Sequence, residues 1–90
     1  MAYFVVHRDL PGITPEALTG AGLRAKTCAA EMTAEGQPVR WLHSYFLPET
    51  EQTHCYFEAS DAEAVREVNQ RANIPLTSIT EVMMLAPEAV

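Results

Sequence analysis

Positive charge is scarce in this chain: six lysines and arginines stand against twelve aspartates and glutamates, for a formal net charge of −6. No basic cluster offsets that deficit, which excludes nucleic acid and anionic membrane surfaces as partners, since both are polyanions. Cysteine is scarcer still. Cys28 and Cys55 form no Cys-x-x-Cys pair, so zinc-finger and dithiol-redox classes lose their support, and two reduced, buried thiols are expected. Long apolar runs are also missing. None approaches the ~20 residues of a bilayer span, and no charged segment leads an apolar stretch at the N-terminus. A cytoplasmic protein is the expectation. No Gly-rich phosphate loop, Ser/His/Asp order or Cys/His nucleophile pair is present.

What is present makes one small α+β domain. The chain has 90 residues, 48% of them hydrophobic, and at this length folding buries roughly 60–65% of the unfolded surface, so a second subunit would add useful stability. Tyr3-Phe4-Val5-Val6-His7 reads as a first strand, closed by a turn at Pro11-Gly12. Thr14 is a natural N-cap before Pro15 and Glu16. Leu18, Ala21, Ala25, Cys28, Ala29 and Met32 then recur at helical spacing until Gly36 and Pro38 end the run.

The second strand is Val39 to Phe46, the third His54 to Glu58, and the polar stretch 47–52 joins them as a hairpin loop. Ser60-Asp61-Ala62-Glu63 has the pattern of a capping box with Ser60 as the cap. Ala62, Val65, Val68 and Ala72 form the buried stripe of the second helix, which Asn73 and Pro75 end. Ile79 to Leu85 is the last strand. Residues 1–86 thus form the domain and 87–90 a flexible tail.

The order β-α-β-β-α-β has one common solution: a ferredoxin-like sandwich with an antiparallel sheet of order 4-1-3-2 and both helices on one face. Its other face is open, and strand alternation assigns Tyr3, Val5, Trp41, Tyr45 and Tyr56 to it as a pocket lining. That much apolar and aromatic surface predicts a homodimer joined face to face. His7, His43 and Glu58 fall on the same side.

Taking the third strand as parallel to the first brings His7 and Glu58 to one end, with His43 beside or diagonal to Glu58. Glu81 joins them as a fourth group if Val82 and Met84 face the helices. Imidazole and carboxylate without thiolate suit nickel, zinc, iron or copper, held best above the ~6.5 of free histidine. His54 and Asp9 read more simply, as an exposed residue and a turn residue. Taken singly, His7 or His43 reads as a hydrogen-bonded interface residue, and Glu58 as a strand-end carboxylate.

Several stretches together resemble a family of small bacterial domains. They are Val39-Arg40-Trp41-Leu42-His43-Ser44-Tyr45, Cys55-Tyr56-Phe57-Glu58-Ala59, Asp61-Ala62-Glu63-Ala64, Ile74-Pro75 and Ile79-Thr80-Glu81-Val82. The best-described branch of that family is a nickel-responsive, nickel-binding protein. The resemblance implies a ferredoxin-like homodimer and metal-binding histidines at His7 and His43. The hairpin departs from the family's short Asp-Gly turn, with Pro48 to Gln52 in its place.

The expected function is binding of a divalent transition metal, nickel first, for sequestration or sensing, with His7, His43, Glu58 and Glu81 as ligands. Two alternatives stand beside it. One is a cofactor-independent enzyme of the dimeric α/β-barrel type, a monooxygenase or isomerase, with a small organic substrate on the open face. The other is an interaction module whose histidines merely satisfy the interface.

Overall fold

A computed structural model describes residues 1–90. Strand β1 (Ala2–Asp9) leads through Pro11-Gly12, where Gly12 takes φ +72°, into helix α1 (Pro15–Ala34). Thr14 Oγ1 accepts from the Ala17 amide at 3.1 Å and so caps the helix as its sequence predicts. At the other end Gly36, with φ +95°, ends the helix. The amides of Gly36 and Gln37 bond to the carbonyls of Thr33 and Met32, a Schellman closure that only a left-handed residue permits.

Strands β2 (Val39–Leu47) and β3 (Gln52–Ala59) form a hairpin. The carbonyl and carboxylate of Glu51 accept from the amides of Leu10 and Gly12, which ties the hairpin tip to the loop after β1. Helix α2 (Ala62–Arg71) and strand β4 (Ser78–Val82) complete the ferredoxin-like order. The sheet runs β2-β3-β1-β4, the expected 4-1-3-2 arrangement read from its other edge, and every neighbouring pair is antiparallel.

Both helices cover one sheet face. Phe4, Val6, Cys55, Phe57 and Ala59 from the strands meet Ala29 and Met32 of α1 and Ala64, Val65 and Val68 of α2 in the main core, beside a smaller cluster of Ala25, Ala72 and Ile74. Both cysteines are free thiols. Small residues on α1 let it lie close to the sheet. One close approach is at Gly22, where a β-carbon would stand 3.2 Å from Trp41 Cη2. The ends of the two helices are also linked, because Arg71 donates to both Glu35 and Glu67. The Arg71 guanidinium holds the Glu35 carboxyl below its ordinary range. Any stabilisation from that contact is therefore complete above the ordinary carboxylate range and is lost as pH falls through the lower folded value.

Two local expectations need correction. The cap of α2 is Asp61, not Ser60: Asp61 Oδ1 accepts from the Ala64 amide at 2.9 Å. Strand β4 stops at Val82, where its pairing with β1 ends at Tyr3, leaving Met83, Met84 and Leu85 exposed. The C-terminal stretch Pro87–Ala89 forms a single 3-10 turn. The cap assignment has a direct check in urea denaturation. Asp61→Ala should cost about 1 kcal/mol, whereas Ser60→Ala should stay within about 0.5 kcal/mol of the parent. Equal losses would contradict the assignment.

Candidate functional site

The open sheet face is built from cross-strand rungs. Tyr45 of β2, His54 of β3, His7 of β1 and Ser78 of β4 pair in one rung. The next holds His43, Tyr56, Val5 and Thr80, and a third holds Arg40, Glu58, Tyr3 and Val82. Directly paired residues share a face, so the rungs bring together side chains that are far apart in sequence.

The rings of His7 and His54 have centroids 4.4 Å apart at an interplanar angle of 62°. His43 stacks on Tyr56 with centroids 5.0 Å apart, and Tyr45 closes edge-on against both. Val5 is buried in this rung, Tyr45 is 62% exposed, and His7 and His54 are half-buried. A polar pocket of about 260 Å³ opens beside His7, lined also by Asp9, Gln52, Thr77 and Ser78. Asp9 accepts from Gln52 Nε2 at 2.9 Å and from Thr77 Oγ1 at 3.5 Å, so it fastens the end of β1 to its neighbours.

This geometry separates the four residues expected to form one cluster. The error lies in strand direction. Because β3 runs antiparallel to β1, His7 pairs with His54, and Glu58 pairs with Tyr3 at the opposite end of the sheet. Strand spacing puts the backbones of His7 and Glu58 about 14 Å apart. Glu58 is moreover held by Arg40, with Nη2 to Oε1 at 3.0 Å. His43 lies diagonal to both Glu58 and His54, two strands away from His7. Glu81 pairs with Phe4, so it sits on the helix-facing side and is exposed there, while Val82 takes the open side.

Trp41 is displaced for a different reason. A β-bulge at Leu42 shifts the register, pairing Trp41 with Phe57 and His43 with Tyr56. One extra residue reverses the alternation. Trp41 therefore turns inward against α1, where its Nε1 donates to Ser44 Oγ at 2.8 Å, while His43 and Tyr45 stay outside. His54 is the residue that sequence reasoning undervalued. Antiparallel pairing of the two central strands would have placed it against His7. No three His, Cys, Asp or Glu side chains of one chain converge closely enough to hold an ion.

The profile of the nickel responsive protein family SCO4226-like matches residues 4–82. The chain belongs to this family. Its fold is similar to the crystal structure of SCO4226 from Streptomyces coelicolor A3(2), with 26% identity and a TM-score of 0.81. That similarity covers 94% of this chain and 100% of the other. No curated protein sequence matches this member of the family. The family assignment and the shared fold support a nickel-related role at a general level.

The inward position of Trp41, the sole tryptophan, can be read from its fluorescence. Gly22→Val should push the indole away from α1, shift its emission to longer wavelength and cost about 1–3 kcal/mol of stability. An unchanged spectrum would place the indole elsewhere.

Proposed function

We propose that this protein binds a divalent transition metal, nickel first, through imidazoles on its open sheet face, and that it acts as a homodimer in sequestration or sensing. The observation that carries the proposal is the His7–His54 pair. Two rings on adjacent strands stand 4.4 Å apart on an accessible face, in a member of a nickel-responsive family. Neutral imidazole nitrogen suits nickel, copper and zinc, whereas calcium and magnesium favour oxygen. His43 is the next imidazole outward, diagonal to His54.

Two donors from one chain leave most positions around such an ion unfilled. Pairing the open faces about a two-fold axis would double the donors: His7 and His54 from each subunit make four. The same pairing would cover His43, Tyr45 and Tyr56, whose rings stack on the open face and stay exposed or half-exposed in a single chain. Ion and dimer therefore support each other, because each needs the same face. The ligands must be unprotonated, so occupancy falls as pH drops below the ordinary imidazole range.

Calorimetry on chelator-stripped protein tests this. Nickel should bind at micromolar levels or tighter, and His7→Ala and His54→Ala should each weaken it at least about tenfold. His43→Ala should have a smaller effect, and Glu58→Gln almost none. Sedimentation should show a dimer that nickel strengthens and acidification to about pH 5.5 weakens. Retention of full nickel affinity in both His7→Ala and His54→Ala would overturn the assignment.

A further inference from the structure

The sheet's other face holds a feature unrelated to the histidines. Helix α1 does not close fully over β2 and β3, and beneath it lies a cavity of about 470 Å³. Its walls are largely apolar, with Leu18, Ala21, Trp41, Phe46, Phe57 and Ile74 among them, and Lys26 stands at its edge. The size and character of this cavity are those of a small-molecule site.

One residue in the lining is out of keeping with such walls. Arg8 is only 4% exposed, and no carboxylate pairs with it. The four ion pairs of the protein use Arg40, Arg66 and Arg71. Arg8 has two neutral partners: Nη1 donates to the Pro75 carbonyl at 3.1 Å, and Nε points to Cys55 Sγ at 3.5 Å. A guanidinium carries five N–H donors and keeps its charge at any ordinary pH, so these partners leave both donors and charge unanswered. Burying such a cation without an anion is costly.

Acidic residues outnumber basic ones two to one in this chain, yet none reaches it. Thr53 pairs directly with Arg8 across the strands and is 2% exposed. Its oxygen accepts from Cys55 Sγ at 3.7 Å, which leaves its own O–H to donate.

We propose that this cavity binds a small organic acid with one carboxylate and an apolar body. The carboxylate would take the free donors of Arg8, with Thr53 beside it, and the hydrocarbon or aromatic body would lie against Trp41, Phe57 and Leu18. A single charge on the ligand answers the single buried cation, and the fork of the guanidinium matches a carboxylate. A strongly polar or multiply charged ligand would leave its other groups unpaired against apolar walls. The site lies across the sheet from the histidine pair and needs no metal.

The test uses octanoate on chelator-stripped protein, followed by calorimetry and by the emission of Trp41, with octanol and acetate as controls. Octanoate should saturate one site per chain and change the Trp41 emission. Octanol, lacking the charge, and acetate, lacking the body, should each bind at least about tenfold more weakly. Arg8→Met keeps the bulk and removes the charge, and it should abolish the preference for octanoate over octanol. If that variant fails to fold, Ala21→Phe, which adds bulk to the α1 wall of the cavity and keeps Arg8 itself, should block octanoate and leave nickel binding intact. Equal affinity for octanoate and octanol in the parent, no octanoate binding at millimolar concentration, or unimpaired binding in Ala21→Phe would overturn the proposal.

Discussion

The antiparallel ladder between β1 and β3 is the contact on which the other features stand. It pairs Phe4 with Phe57 and Val6 with Cys55 toward the helices, and His7 with His54 and Val5 with Tyr56 toward the open side. A slip of one residue would send the core side chains to the open face and the histidines into the helical layer. Burial enforces the register, since Val6 and Phe57 have no exposed surface at all. The hairpin tip adds a second restraint through Glu51, which holds the loop leaving β1 against the turn entering β3.

The two faces of this sheet differ in chemistry because alternation sorts the strands differently on each side of a bulge. Below Leu42 the second strand sends Trp41 inward and Arg40 outward; above it, Ser44 and Phe46 go inward and His43 and Tyr45 outward. The bulge thus brings the lone tryptophan into the cavity wall and keeps the outer face aromatic and imidazole-rich. The same irregularity frees Glu58 from the histidines, because Arg40 now stands opposite it and takes its charge. A proposed metal site and a proposed organic-acid site occupy opposite sides of four strands, and their ligand chemistries do not overlap. In the first, imidazole would select a transition metal by its nitrogen; in the second, Arg8 would select an anion by charge beside largely apolar walls.

Much of the fold was legible in the residues themselves. Thr14, Gly36, the small-residue stripe of α1 and the apolar alternation of the strands are local signals, and each reports on backbone geometry within a few residues. The cap of α2 was misread by one position because Ser60 and Asp61 both carry an acceptor, and only the backbone turn decides which one reaches the Ala64 amide. The early end of β4 was not legible for a related reason: Met83 to Leu85 continue the apolar run of the strand, yet they pair with no neighbour.

The site was legible only by halves. Which side of its own strand His7 or Tyr56 occupies follows from parity, and sequence alone determined that, together with the element order and the two-layer class. Which residues meet across strands depends on direction, register and bulges, and these are properties of pairing between segments far apart in the chain. Tertiary structure therefore decided that His54, not Glu58, stands beside His7, that Glu81 and Trp41 belong to the helical side, and that Arg8 is buried without an anion. The physical reason is that hydrogen-bond ladders join strands through backbone groups common to every residue, so the sequence of one strand does not say which partner it will take.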